Sequence, residues 1–329
     1  MKVLSQNAQW FEDNAPVLPQ HKKDSVSGIS YKVVNVAGES GDASPSTPIG
    51  VNLPNADWIR KKHGSKSVSL DNIEHAYDQA SAEGLLTEFA HDAEEVERAK
   101  KYGSVAGKVH TALHEVLGHA SGQLEDKVST SAIGTYYSPL EEARADLFAL
   151  WYIMDPKLIE LGVMSDLEVA KAEYDSYLKN GMMLQLRRIE PGKTITQAHM
   201  RNRQMISKWV IEKGAKDKVV AIVQRDGKTY IDILDYDKLR GLFGQLLKEV
   251  QRIKSQGDFK AAQKLFETYG VQVDPVIHKE VLDRSASLNI PPYAGFINPR
   301  LTPVANSQGD ITDIKVEYPI DRSEEHTSE

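Results

Sequence analysis

Hydrophobic side chains recur at helical spacing from residue 70 to about residue 290, and this pattern predicts a predominantly helical region. Capping patterns at Ser165–Glu168 and Thr194–Gln197 indicate helix starts, while Asp155-Pro156 and Pro191-Gly192 indicate helix ends. The helices are predicted over the ranges 70–80, 85–102, 104–120, 138–154, 165–188, 194–214, 237–255, 258–269 and 275–287.

Alternating polar and apolar residues predict only a few strands, near the two ends of the chain. One is Ile29–Val36, inside an otherwise irregular stretch over residues 1–46, and another is Ile311–Tyr318. The segment Ile49–Trp58 contains Pro54, which excludes a central strand and suits an edge strand or an extended loop.

One internal stretch, residues 217–234, has two interpretations. A hairpin that turns at Asp226-Gly227 would join two apolar runs as strands. A helix over residues 219–223 accounts for the same apolar positions, so both structures stay open.

These patterns predict a mainly α fold with a minor α+β portion formed by the short terminal strands. A chain of 329 residues can bury one large core or two moderate ones, which allows two lobes. The last eight residues resemble a translated sequencing adapter and are excluded from the fold prediction. We expect an irregular and strand segment of a second lobe over 1–69, a helical lobe over 70–290, a strand segment returning to the second lobe over 291–321, and the adapter-like tail over 322–329.

Composition restricts the partners and ligands. The formal net charge of −7 argues against nucleic acid as the main partner, because phosphate binding needs a basic surface. The absence of Cys excludes disulfides and leaves His, Asp and Glu to hold any zinc ion. No apolar run approaches the roughly 18 residues of a membrane span, and no signal-peptide pattern follows Met1. We therefore expect no membrane partner and a cytoplasmic location.

The main candidate for chemistry is His114-Glu115 with a second histidine at His119. In the common zinc-peptidase motif the two histidines are four residues apart and share a helix face. Here they are five apart, which at about 100° per residue places them roughly 140° apart on an ideal helix. We therefore predict a π-type bulge or a distorted last turn near Val116–Gly118 that returns both imidazoles to one side.

A second segment supplies carboxylates. On a helix, Glu142 and Asp146 share one face and Glu141 lies about 100° away. One of the carboxylates can bind zinc while its neighbours accept hydrogen bonds from the ligating imidazoles. A solvated acidic face paired with Arg144 is the weaker alternative, because the apolar run Leu147–Ile153 implies a buried helix. Three protein ligands leave zinc an open position for water, with Glu115 as the natural general base.

Together these motifs resemble the dipeptidyl peptidase III family of zinc exopeptidases, whose H-E-x-x-G-H and E-E-x-x-A-E/D motifs match His114–His119 and Glu141–Asp146. The resemblance covers approximately residues 45–320. It implies one zinc ion held by His114, His119 and Glu142, with Glu115 as the catalytic base. It implies that Glu141 and Asp146 accept hydrogen bonds from the ligating histidines. Asp146 occupies a position where many relatives have the longer glutamate.

The resemblance also implies roles for residues that the sequence alone would not single out. His199 becomes the oxyanion stabiliser and Arg203 a cation on the substrate side, although the residues alone indicate a surface histidine on a helix. Asn52 and Asn55 match asparagines that bind the substrate backbone, although the residues alone favour turn formation near a proline. Arg300 matches an arginine that holds the far end of the peptide.

Family members are two-lobed, with a helical zinc lobe and a mixed lobe that enclose an oligopeptide in a cleft. The resemblance implies that this chain is the C-terminal half, that its partner is the missing N-terminal half, and that dipeptide release by the chain alone is reduced or absent. Two other interpretations stay open. The chain could be a zinc endopeptidase or another metallohydrolase with the same ligands, or a noncatalytic helical module with a vestigial metal site.

Overall fold

A computed structural model describes residues 2–26, 30–38, 50–53, 59, 66–73, 84–288 and 299–317 of the chain. The chain divides into two compact units. The first comprises Met1–Tyr31 and Leu86–Leu288, and the second comprises Lys32–Leu85 and Asn289–Glu329. The described part is mainly α-helical with a few short strands, as the sequence predicts.

The first unit consists of α-helices connected by short turns and one β-hairpin. Residues 84–89 are also helical, and short 3-10 turns cover Pro19–His21, Thr130–Tyr136 and Leu184–Arg188. The α-helices are α1 Lys2–Gln6, α2 Ala8–Asn14, α3 Ala93–Ala112, α4 Tyr137–Ile153, α5 Lys157–Glu160, α6 Glu168–Met182, α7 Ala198–Gly214, α8 Tyr236–Gln256, α9 Phe259–Tyr269 and α10 Pro275–Ala286.

Aspartates fix the starts of several helices. The side chain of Asp235 accepts a hydrogen bond from the Lys238 amide at the start of α8, and Asp258 and Asp274 cap α9 and α10 in the same way. Helix α8 ends at Gly257, whose φ of 65° is left-handed and favours glycine. These local signals explain why the predicted bounds of the last three helices agree with the structure to within about two residues.

Three predicted helix boundaries were wrong. Helix α3 runs without a break through Gly103 and begins after Asp92, whose side chain caps the Glu95 amide. A glycine in a helix interior costs only about 1 kcal/mol, so it does not terminate the helix. The helix predicted to reach residue 188 ends at Met182, and α7 begins at Ala198 because the Gln197 side chain accepts from the Met200 amide.

The first 31 residues belong to the helical unit, whereas the sequence prediction grouped residues 1–69 with the second lobe. They form α1 and α2 where an irregular stretch was expected. Leu4 and Phe11 are fully buried, and the Phe11 ring lies edge-on to Tyr152 of α4 at 4.8 Å. Because Leu4, Ala8 and Phe11 are spaced by four and three residues, the helical face was present in the sequence and was missed.

Residues 217–234 form a hairpin rather than a helix. Strand β4 (Val220–Arg225) pairs antiparallel with β5 (Lys228–Ile233), and Arg225 lies opposite Lys228. Both turn residues have left-handed backbones, with φ of 52° at Asp226 and 73° at Gly227. Two such residues in succession are typical of the hairpin turn that an Asp-Gly pair favours.

Helix α4 lies at the centre of the first unit. Most of its side chains are buried, including Leu147, Phe148 and Leu150, which are at most 2% exposed. The prediction of a buried carboxylate helix is therefore confirmed. Burial on nearly all sides explains why its apolar residues show little helical periodicity. The helix fixes whatever polar side chains it carries within a rigid core.

The described residues of the second unit form short strands, and residues 71–73 are helical. Its three-stranded sheet has the order β1 (Ser30–Val34), β3 (Lys66–Leu70), β2 (Gly50–Leu53), with Asn52 of β2 opposite Ser67. Strand β6 (Arg300–Ala305) pairs antiparallel with β7 (Ile311–Glu317), and all side chains of both are exposed. The predicted terminal strands are confirmed.

Some predictions fall outside the described residues, namely Pro54, Asn55, most of the helix predicted over 70–80, the segment 291–298 and the adapter-like tail. Among the helices that can be described, none combines the length and the apolar character needed to cross a membrane.

Candidate metal centre

The chain after α3 continues as a π-helical turn over Leu113–Gly118. The amide of His119 donates to the carbonyl oxygen of His114 at 3.0 Å, which is a hydrogen bond across five residues. The bulge that the histidine spacing predicted is therefore confirmed. It brings the two imidazole rings to the same side, with centroids 4.7 Å apart and planes at 87°.

Gly118 allows this turn to approach helix α4. A Cβ atom at this position would lie 2.9 Å from the Cα of Ala145, closer than side chains approach backbone in folded proteins. Gly118 thus sets the distance between the histidine turn and the helix that carries Glu141, Glu142 and Asp146. The carboxylates face the histidines because both elements are held in backbone contact.

One carboxylate oxygen lies between the two histidines. The Oε2 atom of Glu142 is 3.2 Å from Nε2 of His114 and 3.9 Å from Nε2 of His119. This oxygen is buried and accepts no hydrogen bond from the residues that the structure describes. Donor atoms about 2.1 Å from a tetrahedral zinc ion lie about 3.4 Å from one another. Two imidazole nitrogens and a carboxylate oxygen are donors that a divalent metal ion binds, and both measured distances lie close to this spacing.

The outer nitrogen of His119 faces Glu141, with Nδ1 and Oε1 3.0 Å apart. Glu141 in turn accepts hydrogen bonds from the guanidinium of Arg144 at 2.6 and 2.9 Å and from Lys254 of α8 at 2.5 Å. Burial alone would raise the pKa of Glu141, but the charges of Arg144 and Lys254 hold it well below its usual range. An ionised Glu141 accepts from Nδ1 and leaves Nε2 of His119 available for a metal.

The outer nitrogen of His114 faces Asp146, with Nδ1 and Oδ1 2.6 Å apart. The aspartate side chain, although shorter than glutamate, therefore reaches the imidazole. Its other oxygen accepts from the hydroxyl of Tyr177 at 2.8 Å and the amide of Asn202 at 3.1 Å. Burial alone would raise the pKa of Asp146, but hydrogen bonds from His110 and His114 hold it well below its usual range.

Glu115 and His199 lie at the more open side of this cluster. A carboxylate oxygen of Glu115 and ring nitrogens of His114 and His119 all lie within 4.8 Å of one another. His199 of α7 has 46% of its side chain exposed, and its Nδ1 is 3.5 Å from Glu142 Oε2. Arg203 lies one turn further along α7 and is partly exposed. The structure thus brings the predicted residues of the first unit together.

The remaining predicted residues lie outside the first unit or outside the described residues. Asn52 and Arg300 belong to the second unit, in strands β2 and β6, and Arg300 is exposed. Asn55 lies outside the described residues. Within the first unit, the structure therefore describes the part of the predicted site that contains the histidines and the carboxylates.

Sequence reasoning missed several residues that contact the cluster. His110 could have been found, because it precedes His114 by four residues and so shares its helix face. Its Nε2 is 3.2 Å from Asp146 Oδ1, and a nitrogen or oxygen of each of His110, His114 and Asp146 lies within 4.8 Å of the others. Tyr177, Asn202 and Lys254 are distant in sequence, and no local pattern indicates them.

The amino-terminal segment also contacts the site, through the loop Ala120–Glu125 that follows His119. The buried Glu12 carboxylate accepts from the amides of Gly122 at 3.0 Å and Lys23 at 2.7 Å. The Lys23 ammonium donates to the Ala120 carbonyl oxygen. His21 is fully buried. Its carbonyl oxygen accepts a hydrogen bond from the Gln123 amide, and its Nε2 lies 2.8 Å from Glu125 Oε1. We call these contacts the amino-terminal clamp.

Several known proteins are similar in sequence to this chain. The sequence model of peptidase family M49 matches residues 2–130 and 124–286. Nudix hydrolase 3 of Arabidopsis thaliana is 26% identical over 297 residues, which cover 88% of this chain and 36% of that protein. Dipeptidyl peptidase 3 of Nematostella vectensis is 26% identical over 307 residues, covering 81% of this chain and 41% of that protein.

The fold is similar to that of a solved structure, DPP III from Caldithrix abyssi. The TM-score is 0.70 at 24% identity, and the match covers 88% of this chain and 52% of that one. The chain therefore spans about half the length of this solved protein and less than half the length of the curated relatives above.

Proposed function

Because the chain belongs to peptidase family M49, we propose that it carries the metal centre of a zinc-dependent exopeptidase that releases dipeptides from the N-terminus of oligopeptides. The observation that carries the proposal is the position of Glu142 Oε2 beside the Nε2 atoms of His114 and His119. The curated relatives that are named dipeptidyl peptidase 3 support a peptide as the substrate class.

We assign His114, His119 and Glu142 as the ligands of one zinc ion per chain. Glu115 is also close to both histidines. Glu142 is the better third ligand because its inner oxygen is buried without a hydrogen bond from the described residues, whereas Glu115 is partly exposed. When bound, zinc supplies a Lewis acid and lowers the pKa of a bound water to about 7.

Glu115 is then the general base. Its carboxylate lies on the open side of the cluster, where it can take a proton from the attacking water and deliver it to the leaving amine. His199 can donate a hydrogen bond to the oxygen on which negative charge develops, because its ring is half exposed and near Glu142. Arg203 adds positive charge on the same helix.

We further propose that the second unit belongs to a second lobe and that Asn52, Asn55 and Arg300 hold the substrate backbone. An exopeptidase must also recognise a free amino group. Because the chain spans less than half of its curated relatives, we propose that segments beyond the matched length supply that recognition. The chain alone would then bind zinc and oligopeptide but release dipeptides slowly or not at all.

Metal analysis tests the centre directly. The purified chain should hold one zinc ion, Glu142→Ala should hold almost none, and Glu249→Ala, at a half-exposed position on α8, should match the parent. A parent chain without zinc, or a Glu142→Ala variant with full zinc, excludes the ligand assignment. A parent chain without zinc would also favour a noncatalytic helical module with a vestigial metal site.

Hydrolysis tests the base and the substrate class. Any activity on a dipeptidyl-arylamide should be lost in Glu115→Gln while zinc content is kept, and N-terminal acetylation of the substrate should abolish cleavage. Equal cleavage of acetylated and free peptides would instead identify an endopeptidase. Rapid dipeptide release by the 329-residue chain would contradict the proposed need for further segments.

A further inference from the structure

His110 lies behind the metal centre and contacts two carboxylates at once. Its Nε2 is 3.2 Å from Asp146 Oδ1, and its Nδ1 is 3.0 Å from Glu173 Oε1 in an ion-pair contact that is not aligned as a hydrogen bond. His110 and Glu173 are both nearly buried, with 13% and 10% of their side chains exposed. The pair therefore joins α3 to α6 inside the core.

These distances determine the charge of His110. A neutral imidazole carries one N–H, so one of its nitrogens would face a carboxylate oxygen with a lone pair. At 3.0 to 3.2 Å that contact is repulsive, and only an imidazolium presents a proton to both carboxylates. Burial opposes the charge, but Glu173 and Asp146 raise the pKa of His110 to about 9.

Asp146 is the group on which these contacts converge. It receives donors from His114, His110, Tyr177 and Asn202, which lie on four different elements. Their common effect is to fix the Asp146 oxygen that faces His114 Nδ1.

We propose that His110, held by Glu173, is a positioning residue for the metal centre. Its hydrogen bond holds the Asp146 carboxylate in place, and the same carboxylate oxygen in turn fixes the tautomer and ring orientation of His114. The inference rests on the proposed zinc site. His110 is not one of the assigned ligands, and its hydrogen bond to Asp146 is the route by which we expect it to act on His114.

Zinc affinity measured by competition with a chromophoric chelator tests the role in the 329-residue chain. We expect His110→Leu to weaken zinc binding about 10–100-fold, the range typical of a lost outer partner. His110→Gln should restore part of that loss, because its amide can still donate to Asp146. A purely structural role predicts the reverse or no difference, since leucine fills a buried site at least as well as glutamine.

The matched control is the Lys179–Glu95 ion pair, which is buried and joins the same two helices, α3 and α6. Lys179→Met should lower thermal stability and leave zinc affinity unchanged. If His110→Leu does not fold, Glu173→Gln provides the second test, because it removes the carboxylate that holds His110 and keeps the imidazole. It should weaken zinc binding and shift the visible absorption of the cobalt-substituted protein.

The outcomes separate the two proposals. If the parent chain binds no zinc, the proposed metal centre fails and this inference fails with it. If the parent binds zinc and the His110 and Glu173 variants bind it equally well, only the positioning role is overturned. Equally weakened zinc binding in the Lys179→Met control would also overturn the positioning role, because loss of any buried ion pair between α3 and α6 would then weaken zinc binding.

Discussion

The amide of His119 donates to the carbonyl oxygen of His114, five residues earlier, at 3.0 Å. A regular helix would place these two residues roughly 140° apart around its axis. The wider π turn brings both rings beside Glu142 on α4. The extra residue between the histidines is therefore a condition for the candidate metal site, and the contact between Gly118 and Ala145 holds it in place.

Replacement of Gly118 tests this contact. We expect Gly118→Ala to destabilise the chain by about 1–3 kcal/mol, because the new methyl group meets the backbone of Ala145 at 2.9 Å. Gly107→Ala is the control on α3, where nothing lies within 4 Å, and should stabilise by about 0.5–1 kcal/mol. Denaturant unfolding of both variants measures the difference. Equal effects of the two substitutions would show that Gly118 is not closely packed.

Substitution of Asp146 tests the support of His114. Asp146→Asn replaces the carboxylate with an amide. The donors that surround Asp146 then face an N–H group at one position, so at least one hydrogen bond is replaced by a repulsive contact between two donors. We expect zinc affinity to fall about 10–100-fold and stability to fall by roughly 3–5 kcal/mol. Asp155→Asn, which loses a partly exposed contact with Arg240, is the control. Unchanged zinc affinity in Asp146→Asn would argue against the orientation of His114 by this carboxylate.

The amino-terminal clamp predicts that residues far from the motifs affect the metal centre. Glu12→Ala leaves the buried amides of Gly122 and Lys23 without their acceptor, at a cost of about 1–3 kcal/mol for each. It should also speed zinc release, because the loop that follows His119 loses its anchor. Asp13→Ala on the same helix is exposed and should change stability by less than about 0.5 kcal/mol. Stopped-flow transfer of zinc to a chelator measures the release.

The charge of His110 predicts a pH-dependent stability difference. The carboxylates of Glu173 and Asp146 raise its pKa to about 9 from 6.5, which corresponds to roughly 3 kcal/mol. Because the folded pKa is raised, this stabilisation is complete below about pH 6.5 and is lost as the pH rises through about 9. The difference in unfolding free energy between the parent and His110→Gln should therefore shrink over that interval. A difference independent of pH would mean that His110 is neutral.

Local patterns predicted most of the fold. The aspartate caps, the glycine at the end of α8 and the helical spacing of apolar residues located the last three helices, because these signals act within one or two turns of chain. The two short helices at the amino terminus were missed, although Leu4, Ala8 and Phe11 have helical spacing. Helices this short are stable only when packed, and Phe11 packs against Tyr152, far along the chain. The choice of hairpin over helix at 217–234 needed the left-handed backbone of Asp226 and Gly227.

The sequence by itself determined the residues that could bind a metal, because a five-residue histidine spacing, an adjacent glutamate and a carboxylate helix are local features. It also determined that the histidine turn must depart from a regular helix, since 3.6-residue geometry leaves no other way to bring both rings together. Only the tertiary structure decided which side chains and backbone groups support these residues. The contacts of His110, Glu173, Tyr177, Asn202 and the amino-terminal clamp join residues that are distant along the chain, and folding alone brings their charges and hydrogen bonds to the site.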